Sequence, residues 1–236
     1  YFATDIAYHA DKANRGFTKI IDIWGADHGG YVKRLQGALH ALSDSAPNIE
    51  IKLCQLVRLL DKGVPVKMSK RAGQFVTLRD LVDEVGKDVV RFIMLTRKNE
   101  AQLDFDLTEV CEQSRENPVF YVQYAHARVC SVIRTAKNEI TGFKSVNKFN
   151  SKSSLHMLID QSELSLIRTL TEWPRVLETA ASVYEPHRLA FYLLNLAGEF
   201  HSLWNRGTEN PNLKFIIKEN IELTTARLSL IESVGE

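Results

Sequence analysis

Three cations and a glycine crowd the stretch "PVKMSKRAGQFVTL", residues 65–78: Lys67, Lys70, Arg71 and Gly73. No Asp or Glu occurs between Lys62 and Arg79. Surface loops ordinarily interleave their charges, so an unbalanced run is either a solvated basic loop or a site for an anion. Lysine ammonium groups are mobile point charges, suited to a phosphate chain that is gripped and then released. Each charge-assisted bond to phosphate contributes ~1.5–3 kcal/mol. A grip that tightens as charge moves onto a departing pyrophosphate lowers the reaction barrier as well as the binding constant. By charge alone, the phosphate clamp and the solvated loop are equally good readings.

A second concentration of chemistry follows Pro118. From Asn117 to Asn138 there is no acidic residue, while Arg128, Arg134 and Lys137 are present. Tyr121, Tyr124 and Arg128 fall on one face at helical spacing, and Phe200 and Trp204 repeat the i, i+4 pattern later. Rings interleaved with cations suit the unstacked bases and phosphates of single-stranded RNA. An aromatic stripe is more often core, so the residues alone favour packing. His9, His126, His187 and His201 form no ligand set and read as hydrogen-bonded or exposed side chains. No metal site is read in the protein. Serines near histidines lack the strand–turn–helix setting of a hydrolase nucleophile.

These groups must be positioned by a fold. The first hundred residues alternate strand and helix. "KIIDIWG" (19–25) reads as a buried strand, "YVKRLQGALHAL" (31–42) as a helix, and "IEIKLCQLVRLL" (49–60) as a strand entering a sheet. "TLRDLVDEVGKDVVRFIMLTR" (77–97) reads as two short helices hinged at Gly86, the first capped by Thr77. Such a βαβ rhythm predicts a parallel sheet with its ligand site at the carboxyl ends of the strands.

Beyond residue 106 the strand signals stop. "DLTEVCEQSRE" and "NPVFYVQYAHARVCSVIRTAK" read as helices, the second with Asn117 as cap and Pro118 in its first turn. "TGFKSVNKFNSKSS" (141–154) is a polar, basic connector. A long amphipathic helix is predicted from Pro186 to Gly207 and a last one over about 212–233. The expected organisation is α/β followed by all-α, divided as 1–105 and 106–236.

Composition bounds the function. Of 236 residues, 44% are hydrophobic and 25% charged, and the net charge is +1. The chain as a whole is no polycation, so any nucleic-acid contact must come from local patches. No apolar run approaches the ~18 residues that cross a bilayer. Cys54, Cys111 and Cys130 are odd in number and lack metal-ligand spacing, which suits free thiols in a reducing cytoplasm.

"KMSKR" at 67–71 resembles the KMSKS signature of class I aminoacyl-tRNA synthetases, with Arg71 for the final Ser. "GADHGGY" (25–31), "VKMSKRAGQFVTLRDLVDEVG" (66–86), "LDFDL" (103–107) and "NPVFYVQYAHAR" (117–128) resemble the bacterial arginyl-tRNA synthetase family, in the expected order. The resemblance implies the C-terminal half of a Rossmann-type nucleotide-binding domain (1–105) and an α-helical, DALR-type anticodon-binding bundle (106–236). It implies ATP-dependent activation of arginine to arginyl-adenylate, with Mg²⁺ on the phosphates, and transfer to tRNA(Arg). Lys67 and Lys70 take the catalytic places. Gly25, Asp27, His28, Val66, Met68, Ser69 and Arg71 take nucleotide-binding places. Tyr1 and Asp5, at i and i+4, resemble the arginine-recognition segment. There a carboxylate meets a guanidinium through two parallel hydrogen bonds that lysine cannot match. Rejecting lysine requires Asp5 to be buried and aimed. Without the resemblance, Asp5 is an ordinary first-turn acid and Asp27 a helix cap. Tyr121, Tyr124, Arg128, Phe200 and Trp204 take tRNA-contacting places, with Tyr124 and Trp204 favoured over Phe120 and Phe200.

The HIGH-type signature of the class is missing: "AYHADKA" and "LHAL" lack its glycine. The expectation is therefore a fragment holding half an active site, inactive alone, from a cytoplasmic, monomeric enzyme. Two other readings remain: a non-catalytic RNA-binding module derived from such an enzyme, and a sister class I synthetase for another amino acid.

Overall fold

In the computed structural model, residues 1–42, 48–67, 76–140 and 154–236 are described. The chain forms two compact units. One comprises Tyr1–Phe75 and Arg97–Leu107, the other Val76–Thr96 and Thr108–Glu236. The α/β-to-α division expected at 105/106 is thus interleaved. The helical pair after Thr77 clusters with the helical unit, while the following strand returns to the α/β unit.

The α/β unit opens with α1 (Phe2–Asn14) and β1 (Lys19–Gly25), then a 3₁₀ turn (Ala26–Tyr31), α2 (Val32–Leu42) and β2 (Asn48–Cys54). β1 and β2 pair in parallel from Lys19↔Asn48 to Gly25↔Cys54. This is the predicted βαβ crossover, and it is made by burial: Leu35 and Leu39 of α2 pack on Ile20 and Ile49, with Phe2, Trp24 and Ile51 closing the cluster. The apolar run 49–60 is two strands rather than one. β3 (Val57–Asp61) belongs to a second sheet of order β4-β3-β5, with β4 at Val64–Pro65 and β5 at Leu103–Asp106. The break falls at Gln55, whose N–H donates to Asn99 O at 2.7 Å. Hydrophobicity alone carries no mark of such a switch of partner.

β3 turns into β4 through Lys62 and Gly63, both at positive φ (51° and 76°). The Asp106 carboxylate holds that turn by accepting from the Lys62 and Gly63 N–H groups. This bond also explains an overturned expectation. Residues 106–116 do not form a helix, because Asp106 is fixed at the end of β5 and only Glu109–Cys111 makes a 3₁₀ turn.

The helical unit contains α3 (Leu78–Val85), α4 (Lys87–Met94), α5 (Pro118–Glu139), α6 (Gln161–Thr171), α7 (Trp173–Val183), α8 (His187–Glu209) and α9 (Ile221–Gly235). Thr77 and Asp80 form a full capping box at α3, and Gly86 joins α3 to α4 at φ 86°. Asn117 caps α5 through its oxygen and ties Val110 O and Glu112 O through its amide. α9 begins at Ile221, later than the sequence suggests, since Asn210 and Pro211 start a separate 3₁₀ turn. The core is built on Phe200, Leu166, Leu203, Leu228 and Ile231, all at most 1% exposed. The connector predicted at 141–154 lies, up to residue 153, outside the described residues.

Candidate active-site cleft and candidate RNA-reading face

A cleft of about 810 Å³ opens in the α/β unit between α1 and the carboxyl end of β1. Tyr1, Asp5 and Tyr8 line it from α1 and its cap; Gly25, His28 and Tyr31 line it from the end of β1 and the turn that follows. The sequence-predicted amino-acid residues and part of the predicted nucleotide turn therefore share one cavity. Helical spacing puts Tyr1 and Asp5 on the same face, and the crossover puts Gly25 at the sheet end facing them. Asp5 is exposed rather than buried, so the burial required for strict selection of a guanidinium is not provided by these residues. Tyr1, at the helix cap, is fully exposed.

Gly25 is ordinary extended backbone, φ −64° and ψ 148°. Its lack of a side chain has a spatial use: a Cβ there would come within 2.5 Å of Asp27 Oδ1. Asp27 and His28 stand open to solvent 3.6 Å apart. Val66 N–H donates to Leu59 O, extending the β3–β4 hairpin toward exposed Lys67. Met68, Ser69, Lys70 and Arg71 lie outside the described residues.

The floor of the cleft was not foreseen. Asp22, 8% exposed, accepts from His9 Nε2 and from Lys12 Nζ at 3.0 Å. His9 Nδ1 also reaches Asp5 O, 2.7 Å away. Burial raises the Asp22 carboxyl's pKa, but the hydrogen bonds from His9 and Lys12 outweigh it, and the net result lies below the ordinary carboxylate value. The available signal was an acid in the middle of the apolar strand "KIIDIWG", which demands a buried partner.

In the helical unit, the Arg128 guanidinium sits between two rings, 4.3 Å from the centroid of Tyr124 and 4.6 Å from that of Trp204. Tyr121 and Tyr124 lie one turn apart on α5, and Trp204 comes from α8. Tyr124 is 42% exposed, and Phe120 stacks on it at 5.6 Å with 9° between planes. Arg115, Phe120, Tyr121, Tyr124, Arg128, His201 and Asn205 line a small pocket of about 110 Å³. Phe200 must be removed from the contact set. It has no exposed surface and stacks on Phe215 at 5.9 Å, so no base can reach it without opening the bundle.

His201 is a further member of this face that sequence reasoning placed only among bonded or exposed histidines. Its Nδ1 lies 2.9 Å from Arg128 Nη1 and its Nε2 lies 3.1 Å from Tyr121 O. Its partners are 73 and 80 residues away in the chain, so no local spacing announces them. Burial lowers the pKa of His201, the bond to the Tyr121 carbonyl opposes this, and the Arg128 and Arg115 charges lower it further; the net shift is downward.

Residues 122–236 match the DALR anticodon binding domain. The arginine–tRNA ligase of Azorhizobium caulinodans is 57% identical over 235 residues, covering 100% of this chain and 40% of the relative. A Campylobacter jejuni structure assigned as an arginyl-tRNA synthetase superposes with a TM-score of 0.81 at 36% identity, over 99% of this chain and 48% of that one. The Thermus thermophilus arginyl-tRNA synthetase shares the fold at 21% identity, with a TM-score of 0.67 over 92% of this chain and 38% of that one. An α/β unit with a cleft at its strand ends, together with a helical unit that matches the DALR anticodon binding domain, is the build of an aminoacyl-tRNA synthetase. Within that class the chain belongs to the arginine–tRNA ligase family and matches the C-terminal region of its members. It spans about 40% of the length of the curated relatives it matches.

Proposed function

We propose that the chain serves arginine–tRNA ligation, contributing part of the activation site and the anticodon-binding unit of a cytoplasmic, monomeric ligase. The observation that carries this reading is the shared cleft. An acid suited to a guanidinium and a Gly25–His28 turn suited to a nucleotide face one cavity. An arginine carboxylate oxygen attacks the α-phosphorus of ATP, the bond to pyrophosphate breaks, and arginyl-adenylate forms. A ribose hydroxyl at the 3′ end of tRNA(Arg) then attacks the adenylate's carbonyl carbon and AMP leaves.

In this reading Asp5 and Tyr1 hold the guanidinium. Gly25, Asp27 and His28 attend the ribose and base. Val66, Lys67, Met68, Ser69, Lys70 and Arg71 hold the phosphates. Lys67 and Lys70 act in catalysis by gripping pyrophosphate more strongly as charge develops on it. Mg²⁺ enters with the nucleotide. No group of three His, Cys, Asp or Glu side chains among the described residues is arranged to hold a metal. Tyr121, Tyr124, Arg128 and Trp204 read tRNA(Arg). No helix among the described residues is long and apolar enough to cross a membrane.

Pyrophosphate exchange into ATP by the intact protein tests this. Exchange should require arginine together with cognate tRNA, and Lys70→Ala should lower kcat more than it raises KM. Exchange with lysine in place of arginine would end the assignment. Retained tRNA binding with no exchange for any amino acid would turn the reading to an RNA-binding module.

A further inference from the structure

The two ring nitrogens of His201 face partners of opposite kind. The Tyr121 carbonyl can only accept, so Nε2 must carry a proton to bond it. The Arg128 guanidinium can only donate, so Nδ1 must present its lone pair. One protonation state satisfies both: the neutral ring in its Nε2–H tautomer. A doubly protonated ring would set two donors against each other at 2.9 Å.

Arg128 depends on that lone pair. Its guanidinium carbon lies over the Tyr124 and Trp204 rings, but contacts of that kind alone leave the group free to turn about its own axis. The bond to His201 fixes that angle. Arg128 Nε is buried with no hydrogen-bond partner in the protein, and Arg128 lines the pocket on this face. A buried donor without a partner is costly, so Arg128 is held in this orientation at the expense of one unsatisfied N–H.

We propose that His201 is the positioning residue of the RNA-reading face. Its neutral ring orients Arg128 between Tyr124 and Trp204 so that the guanidinium edge facing the pocket is presented at a fixed angle to an acceptor on an unstacked nucleotide, and protonation of the ring releases Arg128. This rests on the RNA-reading role above. His201 touches no RNA; it acts through Arg128. The groups facing it are Tyr121, Tyr124 and Arg128 from α5, Arg115 from the segment ahead of α5, and Phe200 on its own helix; no carboxylate is among them. Burial among rings and cations accordingly keeps the ring uncharged near neutrality.

The test is tRNA(Arg) binding by the intact protein between pH 5 and 8, for the wild type and two variants. His201→Asn keeps an acceptor near the Nδ1 position. His201→Gln places its amide near Nε2 and leaves Arg128 without an acceptor. At pH 7.5, His201→Gln should bind roughly tenfold more weakly than wild type, whereas His201→Asn should stay within about threefold. Wild-type affinity should fall on acidification more steeply than that of His201→Asn. Nitrogen chemical shifts of the wild-type ring, which need no variant to fold, should report the Nε2–H tautomer at pH 7.5. An Nδ1–H tautomer, or a His201→Asn pH profile that overlays the wild type, overturns the inference while leaving the RNA-reading role standing. Failure of the wild type to bind tRNA at pH 7.5 overturns that role and the inference with it.

Discussion

Arg227 Nε donates to Glu163 Oε1 at 2.6 Å in the interior of the helical unit, with the two side chains 64 residues apart in the chain. Glu163 is 1% exposed and Arg227 4%. Both side chains have further partners. Arg227 Nη1 donates to Asn212 O and Lys214 O, and Glu163 Oε2 accepts from Asp160 N–H at the start of α6. Removing one partner strands a buried charge. Arg227→Met should therefore cost ~3–5 kcal/mol in urea unfolding. The double variant Arg227→Met/Glu163→Leu should cost less than the sum of the two single changes, because neither charge is left behind.

Phe200 and Trp204 should separate core from surface function. Phe200→Ala empties the centre of the bundle and should cost ~3–5 kcal/mol in stability. Trp204 is partly buried and closes one side of the Arg128 sandwich, so Trp204→Ala should cost less stability than Phe200→Ala. It should instead weaken tRNA binding roughly 5- to 150-fold, in line with ~1–3 kcal/mol per stacked base. Paired melting curves and tRNA titrations distinguish the two outcomes.

Asp22 should make the α/β unit acid-sensitive. Its folded pKa lies below its unfolded value, so its contribution is complete above about pH 4 and is lost as pH falls through the folded pKa. Asp22→Asn should lower the urea midpoint at pH 7, with a loss of ~1.5–3 kcal/mol for the bonds to His9 and Lys12. The gap between variant and wild type should narrow as the pH is taken down through the lowered folded pKa, where the wild-type carboxyl protonates as well.

Gly207 sits where α8 meets the 3₁₀ turn Pro211–Leu213. A Cβ at this position would lie 2.9 Å from Leu213 O, a backbone atom that cannot swing aside. Gly207→Ala should cost ~1–3 kcal/mol despite its favourable helix propensity. A thermal melt of this variant beside Gly37→Ala, where a Cβ meets nothing within 4 Å, provides the control.

Legibility in the sequence followed the range of the interactions. Caps are local, and Thr77, Gly86 and Asn117 act as their types and spacing foretold. The βαβ crossover was readable because one apolar face recurs through strand, helix and strand. The split of 49–60 between two sheets was hidden, since the strand break depends on Asn99, far along the chain. The absence of a helix at 106–116 depends on Asp106 reaching back to Lys62 and Gly63. In the candidate sites, Tyr124 and Arg128 were visible as neighbours on one helix. Asp22 with His9, and Arg128 with His201, join separate elements and appear only once the chain is folded.

The Arg128–Trp204 stack also gives the helical unit a built-in optical gauge. An indole beneath a cation emits according to how that cation is held. Trp173 lies instead against Tyr192, while Trp24 belongs to the other compact unit. With Trp24 and Trp173 replaced by Phe, Trp204 would be the one tryptophan left in these 236 residues, and its emission would follow events at Arg128 in real time, so each arrival of a nucleotide could be watched without attaching a dye.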